Sequence, residues 1–238
     1  MTGRVFITGD MHGTFSPLFG LRERQALHRA DILLIAGDAG YVWDGDYPCR
    51  VETLEQLFPG TVAFIDGNHE NHAILNSLEV REWMGGRVHR VGERVYHLLR
   101  GEVYDLYGSR IFTFGGARST DKDQREEGES WWPGEEPSAA ELAYGAQQLR
   151  AHRDTLHYVV THESPLSARD ALSRQKRIDP DYRLPAVLEE WYRQVSQTPL
   201  FRKWYFGHMH RDQTVAPDLR GIHDHILLLG EETPIRWA

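Results

Sequence analysis

The sequence is poor in cysteine, in long apolar runs and in positive charge. It holds a single cysteine, Cys49, among 238 residues. One cysteine cannot form a disulfide framework or a thiolate zinc site, so we expect a reducing compartment. No apolar run approaches the roughly 20 residues that span a bilayer, and the first residues lack the pattern of a signal peptide. We therefore expect a cytoplasmic protein with no membrane partner.

Acidic residues outnumber basic ones, with 35 Asp and Glu against 27 Lys and Arg and a formal net charge of −8. Proteins that follow a long polyanion usually present a basic surface, so long nucleic acid is a disfavoured partner. A small anionic ligand is not excluded, because bound divalent cations would reverse the sign of the local charge. The charge gives no indication of an oligomeric state.

Short apolar segments alternate with segments of helical pattern. The apolar segments are mostly unbroken, which is typical of strands covered on both faces. They fall at 4–8, 32–36, 61–65, 158–160 and 204–206. The helical candidates fall at 15–29, 51–58, 73–78, 138–152 and 184–197. Ser138, three residues before Glu141, predicts a capping box at the start of the fourth helix.

The middle of the chain has a different pattern. Segments 95–99, 103–107 and 110–114 are separated by turn pairs, which predicts an antiparallel meander. A second antiparallel pairing is expected between 213–215 and 225–229. The whole predicts one α/β domain over 1–238, with either a mixed sheet or two sheets packed face to face and helices outside.

Groups that can bind metals follow each of the five apolar segments. Ligands in α/β sheets collect at the carboxyl ends of strands, so groups far apart in sequence are predicted to share one edge. The five sites are Gly9-Asp10-Met11-His12-Gly13, Gly37-Asp38, Gly67-Asn68-His69-Glu70, Thr161-His162-Glu163 and Gly207-His208-Met209-His210.

The donor atoms at these sites suit a pair of transition-metal ions. Hard oxygen ligands and imidazoles together fit manganese, iron or zinc better than calcium. Each motif alone is more often a turn or a structural histidine, but five such coincidences in one order are less probable than one site. The candidate ligands are Asp10, His12, Asp38, Asn68, His162, His208 and His210.

The series of motifs resembles the calcineurin-like metallophosphoesterase superfamily, over residues 9–210. The resemblance implies two mixed β-sheets packed as a sandwich, flanking helices and a dinuclear metal site at the carboxyl edge of the strands. It implies two divalent ions, manganese first and iron, zinc or nickel as alternatives. One ion would be held by Asp10, His12, Asp38 and His210, and the other by Asp38, Asn68, His162 and His208.

The same resemblance implies a metal-dependent hydrolase of phosphate monoesters or diesters, including nucleotides and cyclic nucleotides. Two metal ions activate water for attack on phosphorus. His69 would be catalytic, either by stabilising charge on the phosphoryl group or by protonating the leaving oxygen. The expected partner is a small phosphate ester or a nucleotide.

Two alternatives are weaker. Serine/threonine protein phosphatases continue their second motif with an Asp-Arg pair, which is missing after Asp38, although Asp44 or Asp46 could replace the aspartate. A non-catalytic scaffold of the same fold would be expected to lose ligands or His69, and this chain keeps all of them.

The segment 115–137 belongs to none of the motifs and resembles one in small bacterial metallophosphoesterases. Its basic residues Arg118, Lys122 and Arg125 could contact a substrate phosphate. Trp131 and Trp132 could stack on a base, but we favour a role in pinning the segment to the body.

The residues around the motifs are assigned more modest roles. Glu70, His72 and Glu163 could orient metal ligands. The histidines outside the motifs, including His223, are expected to be surface or structural residues.

Overall fold

The structure of the protein is a computed structural model, described here for residues 3–172 and 181–235. Within those residues it forms two β-sheets and six α-helices. The strands are β1 Val5–Thr8, β2 Ile32–Ile35, β3 Thr61–Phe64, β4 Val80–Trp83, β5 Gly86–Arg90, β6 Val95–Leu98, β7 Val103–Leu106, β8 Ser109–Phe114, β9 Tyr158–Thr161, β10 Lys203–Phe206, β11 Gln213–Ala216, β12 Leu219–Gly221 and β13 Leu227–Leu228. The helices are α1 Ser16–Arg24, α2 Tyr47–Leu57, α3 His72–Ser77, α4 Ala139–His152, α5 Leu166–Leu172 and α6 Leu184–Val195.

Both sheets are mixed. The first has seven strands in the order β13-β1-β2-β3-β6-β5-β4, and the second has six in the order β11-β12-β10-β9-β8-β7. Strands β1, β2, β3 and β6 are parallel neighbours, as are β8, β9, β10 and β12. The central strands of each sheet therefore end at a common edge.

Side chains alternate between two cores along the central strands, because successive residues of a strand face opposite sides of its sheet. In β1, Phe6 packs beneath helices α1 and α2, whereas Ile7 packs between the two sheets. The layer between the sheets joins residues of both, such as Leu34 and Val160. A third core lies between the second sheet and α6, where Trp191 meets Phe114 edge to face. Burial on both faces explains why these strands are apolar without alternation.

Helix α4 begins where the sequence predicts. The Ser138 hydroxyl accepts from the Glu141 backbone N–H at 3.3 Å, and the Glu141 carboxylate accepts from the Ser138 N–H at 2.8 Å. The two groups satisfy backbone donors that the first turn of a helix leaves unpaired. Among the described residues, no helix combines the length and the apolar character needed to cross a membrane.

The predicted fold class, two mixed sheets in an α/β arrangement with flanking helices, is confirmed. The predicted meander over 95–114 is confirmed for its second pair of strands and wrong for its first. Strand β6 joins the first sheet between β3 and β5, whereas β7 and β8 form a hairpin in the second. The turn at Arg100-Gly101 thus carries the chain from one sheet to the other. A short turn serves either connection equally well, so the local sequence does not distinguish them.

The second predicted antiparallel pairing is also wrong. Strand β11 pairs with β12 in the second sheet, and β13 pairs with β1 in the first. Three strands were not predicted, and β4 among them exposes both of its charged side chains. An edge strand of this kind lacks the apolar pattern on which strand prediction depends.

Candidate metal centre and active site

The five predicted sites lie at the same edge of the molecule. Three of them follow strands β1, β2 and β3 of the first sheet, and two follow β9 and β10 of the second. Hydrogen bonds tie the loops together across this edge. The His12 N–H donates to the Asp38 carbonyl at 2.8 Å, and the His208 N–H donates to Asp10 Oδ1 at 3.0 Å.

Four of the candidate ligands form one compact group. One donor atom from each of Asp10, His12, Asp38 and His210 lies within 4.8 Å of the others. The carboxylates are buried, whereas the His12 and His210 side chains are 39% and 51% exposed. The buried carboxylates and the exposed imidazoles could hold a cation between them. The exposed side of that cation would remain open to a further ligand.

A second group adjoins the first and shares Asp38 with it. His162 Nε2 lies 3.1 Å from Asn68 Oδ1 and 3.4 Å from Asp38 Oδ1, and all three side chains are buried. The ring of His208 lies 5.2 Å from that of His162, measured between centroids. The structure therefore brings all seven predicted ligands to one place, with Asp38 between the two groups.

The backbone is strained at four of these candidate ligands. His12, Asp38, His208 and His210 have φ values of 46°, 48°, 58° and 48°, in the left-handed region that glycine favours. Such a conformation costs a residue with a Cβ atom about 1–2 kcal/mol. Strain concentrated on one set of polar side chains indicates that their direction serves a site.

Gly37, directly before Asp38, allows the two groups to meet. Its φ is 89°, and a Cβ atom at this position would overlap the ring of His162. Any larger residue would thus move the imidazole away from Asp38, so glycine is required here by both conformation and space.

In the second group, hydrogen-bond acceptors face one another, and this arrangement suits a cation. His162 Nδ1 lies 2.8 Å from the Ala36 carbonyl and donates its hydrogen there, so Nε2 is the nitrogen that can present a lone pair to a metal ion once its own proton is displaced. That lone pair faces the oxygens of Asn68 and Asp38. Three acceptors that converge without a donor repel one another unless a proton or a metal ion lies between them. The residues present therefore fit a bound cation.

A carboxylate oxygen of the first group also lacks a hydrogen bond. Asp10 Oδ2 is buried and accepts no hydrogen bond from the described residues, and His223 Nδ1 lies 3.7 Å away from it. A buried acceptor in this state normally costs free energy. Coordination of a cation by Asp10 would remove that cost.

The pKa values of Asp38 and His162 are set by burial and by the charged groups packed around them. Burial by itself raises the pKa of Asp38, but the imidazoles of His162 and His69 hold it well below its usual range. Burial lowers the pKa of His162, but the Asp38 and Asp10 carboxylates outweigh burial and raise it to about 10. The carboxylates thus remain ionised and attract positive charge to this position.

His69 lies beside the two groups rather than within them. Its backbone N–H donates to Asp38 Oδ1 at 2.7 Å, while its side chain lines a cavity of about 350 Å³. Burial lowers the pKa of His69, and the nearby Arg125 adds to that effect. The remaining residues that line the cavity are Asp38, Asn68, Thr120, Asp121, Arg169, His208, Met209 and His210.

The three predicted substrate contacts do not line this cavity. Arg118 donates to both oxygens of Glu136 at 2.8 Å, and Arg125 donates to both oxygens of Asp121 at 2.8 Å. Lys122 lies above the ring of Trp131, 5.8 Å from its centroid. A role for these three in substrate binding stays a prediction.

Arg169 is a cavity residue that the sequence did not reveal. It lies on α5, and its Nη1 donates to both oxygens of the buried Glu163 at 2.9 and 2.8 Å. Glu163 Oε2 in turn lies 3.7 Å from His208 Nε2. Glu163 is thus placed to orient a candidate ligand, as predicted, and also holds a guanidinium at the cavity wall.

His223 is a second residue that sequence reasoning missed. Its ring stacks on that of His210 with the centroids 4.4 Å apart, and its Nδ1 faces Asp10. It follows β12 just as the five motifs follow their strands. The signal was therefore present, but β12 itself had not been predicted.

The other residues expected to orient ligands have different positions. Glu70 is buried, and its Oε1 accepts from the Ala39 N–H at 2.7 Å, so it supports the loop after Asp38. His72 lies 4.0 Å from Asp66, in a separate polar cluster. Asp44 is bound to Arg50, at 2.7 Å, so its carboxylate is already engaged there.

Trp132 supports the structural interpretation of the tryptophan pair. It is 7% exposed and meets Trp43 edge to face, with ring centroids 5.1 Å apart. This contact joins segment 115–137 to the loop that follows β2. Such edge-to-face pairs stabilise contacts by about 0.5–1.5 kcal/mol beyond their burial.

The chain is similar to known proteins in sequence pattern and in fold. The sequence model of the calcineurin-like phosphoesterase family matches residues 3–212. The fold is similar to the crystal structure of the protein TT1561 of Thermus thermophilus, with a TM-score of 0.51 and 12% sequence identity over 94% of this chain and 89% of that chain. At this identity, the likeness supports the fold alone. No curated protein has a matching sequence.

Proposed function

The chain belongs to the calcineurin-like phosphoesterase family, and from that premise we propose that it hydrolyses small phosphate esters with the help of two divalent metal ions. Manganese is the first candidate for both ions. The observation that carries the proposal is the convergence of seven metal-competent side chains from both sheets, with Asp38 shared between their two groups. A structural metal site would need only one such group.

The residues divide into two proposed ligand sets. Asp10, His12 and His210 would complete one set around Asp38. Asn68, His162 and His208 would complete the other. Bound divalent cations would lower the pKa of water and offset the negative charge of the phosphoryl oxygens.

His69 is proposed to act on the substrate. Its backbone is fixed by the hydrogen bond to Asp38, and its ring faces the cavity beside both ligand sets. From there it can donate a proton to the leaving oxygen or a hydrogen bond to a phosphoryl oxygen. General acid help of this kind is worth roughly 10²–10⁴-fold in rate.

Arg169 supports a phosphate ester as the substrate. Its guanidinium is held by Glu163 at the wall of the cavity. A guanidinium that is already oriented binds phosphate oxygens with little further loss of freedom. The cavity volume of about 350 Å³ suits a small ester or a nucleotide.

The first test combines metal analysis with two substrates. Purified protein supplied with manganese should bind two metal ions per chain and should hydrolyse nitrophenyl phosphate, bis-nitrophenyl phosphate or both. The Asp38→Ala variant should lose more activity than a variant of any other ligand, because it disturbs both sets. Asp154→Ala serves as a matched control, because this carboxylate is 71% exposed, pairs with Arg153 and does not line the cavity.

Other results would point elsewhere. One metal ion or none in fully loaded protein would contradict the two-metal proposal. Two bound ions without hydrolysis of either ester would favour a non-catalytic role for the fold. Near-normal turnover of Asp38→Ala at saturating manganese would remove the shared role of Asp38.

A further inference from the structure

The side-chain amide of Asn68 contacts a different residue through each of its two polar atoms. Its Oδ1 lies 3.1 Å from His162 Nε2, while its Nδ2 donates to Ser119 Oγ at 3.1 Å. Asn68, Ser119 and His162 are all buried. The orientation of this amide therefore depends on protein groups rather than on solvent.

That orientation decides whether Asn68 can serve as a ligand. The oxygen of an amide side chain has lone pairs for a cation, whereas its NH₂ group has only hydrogens to present. A rotation by half a turn would bring the NH₂ group toward the cation position. One of the two proposed ligand sets would then lose an oxygen and gain a repelling dipole.

Glu135 determines the orientation of the Asn68 amide through its hydrogen bonds with Ser119. The Ser119 hydroxyl donates to Glu135 Oε2 at 2.5 Å, and the Ser119 backbone N–H donates to Oε1 at 2.9 Å. Both Glu135 oxygens accept from Ser119, so the single hydroxyl hydrogen is committed to Glu135. Ser119 Oγ can then only accept from Asn68, which requires the NH₂ group to face Ser119 and the oxygen to face His162.

Segment 115–137 is anchored where it carries these two residues. The Ala117 N–H donates to the Glu135 carbonyl at 3.1 Å, which closes the base of the segment. The buried guanidinium of Arg100 joins Asp66 to the Gly134 carbonyl, at 2.9 Å and 2.7 Å. Asp66 lies two residues before Asn68. The Arg100 guanidinium therefore ties the segment to the turn that carries Asn68.

We propose that Ser119 and Glu135 are positioning residues that hold the Asn68 amide with its oxygen toward the metal position. This inference rests on the proposed two-metal site. It assigns segment 115–137 a part in metal binding, in addition to the contribution of Thr120 and Asp121 to the cavity wall. Loss of such an orienting partner typically weakens metal binding by roughly 10–100-fold.

Manganese titration of the metal-free protein by calorimetry tests the proposal. In Ser119→Ala, the ion of the Asn68 set should bind roughly 10–100-fold more weakly, and the other ion should bind as in the wild type. Ser130→Ala is the matched control, because that hydroxyl accepts from the Glu126 N–H at 2.9 Å within the same segment. Ser119→Thr keeps the hydroxyl and should keep the affinity.

A second readout is independent of any metal. The chain has three asparagines, Asn68, Asn71 and Asn76, so selective ¹⁵N labelling gives three side-chain NH₂ signals. The Asn68 signal, assigned with Asn68→Asp, should exchange slowly with solvent in the wild type and lose that protection in Ser119→Ala. Glu135→Gln should have the same effect, because its NH₂ group competes for Ser119 Oγ.

The outcomes separate this inference from the proposed function. Fewer than two ions bound by the wild type would defeat the two-metal proposal itself. Two ions bound with unchanged affinity in Ser119→Ala and Glu135→Gln would overturn the positioning role alone. Equal weakening of both ions, with all three NH₂ signals altered, would also overturn it, because the cause would be general loosening.

Discussion

Individual residues at the site carry strain that their ordinary neighbours do not. The left-handed backbone at His12, Asp38, His208 and His210 costs stability, and the buried Asp10 oxygen that accepts no hydrogen bond from the described residues adds to that cost. A protein without a ligand to bind would lose nothing by replacing them. We therefore expect substitutions here to stabilise the metal-free protein while they weaken metal binding.

His210→Gly tests that expectation. Glycine accepts a φ of 48° without steric cost. The free energy of unfolding of the metal-free protein should rise by about 1 kcal/mol, measured by urea denaturation. His210→Ala removes the same imidazole but keeps the Cβ atom, so it should show no comparable gain. Equal stability of the two variants would mean that the backbone is not strained.

His69→Asn should separate proton donation from charge stabilisation. Both metals should remain bound, because the proposed ligands are untouched. A leaving group with a high pKa needs a proton far more than nitrophenolate does, so kcat should fall most on an alkyl phosphate, by roughly 10²–10⁴-fold. Equal losses on alkyl and nitrophenyl esters would indicate charge stabilisation instead, and loss of metal would make His69 a ligand.

Arg169→Ala should weaken substrate binding. A lost hydrogen bond between an arginine and a phosphate costs about 1.5–3 kcal/mol, so kcat/KM should fall by roughly 10–100-fold while two metals remain bound. Arg125→Ala is the comparison, because Arg125 is paired with Asp121 and does not line the cavity. A larger loss in Arg125→Ala than in Arg169→Ala would restore the original prediction from the sequence.

At the level of secondary-structure elements, a helix and a long loop segment bring supporting residues to the site. Helix α5 brings Arg169 to the cavity, and segment 115–137 brings Ser119 to Asn68. Helix α4 follows that segment directly, and its Glu141 also binds Arg100, at 3.2 Å. The start of α4 is therefore linked to the anchoring of the segment.

Ser138→Ala should lower the free energy of unfolding by about 1 kcal/mol, because the first turn of α4 loses its cap. Ser138→Asp supplies another acceptor for the same backbone N–H and should retain most of the stability. Urea denaturation of both variants gives the comparison. If alanine and aspartate were equally stabilising, the capping box would contribute nothing to this helix.

At the level of the whole molecule, the site draws on both sheets. Asp10, Asp38 and Asn68 follow strands of the first sheet, whereas His162 and His208 follow strands of the second. Metal binding should therefore hold the two layers together, and it should stabilise the folded chain because an unfolded chain has no such site.

Manganese should raise the melting temperature. At a free concentration one hundred times the Kd, one bound ion stabilises the folded state by about 2.7 kcal/mol. For a domain of this size, that corresponds to a rise of roughly 5–10 °C, measurable by calorimetry in manganese against chelator. Asp38→Ala should show little of this rise. A rise of equal size in Asp38→Ala would mean that the ions bind elsewhere.

The sequence by itself determined the central strands and the metal-competent groups that follow them. Both are local properties: unbroken apolar runs follow from burial on two faces, and Gly37-Asp38 or Gly67-Asn68 marks the point where a strand ends. The shared edge followed from the general rule for parallel strands. These features needed no knowledge of which strands are neighbours.

Only the tertiary structure decided the partners of the site. Arg169 and Ser119 reach it from segments whose local sequences look like an ordinary helix and loop, and His223 follows β12, a strand that the local sequence does not indicate. Likewise, β6 and β7 join different sheets although a simple turn separates them. Pairing of this kind depends on packing between residues distant in sequence, and a local pattern carries no information about those contacts.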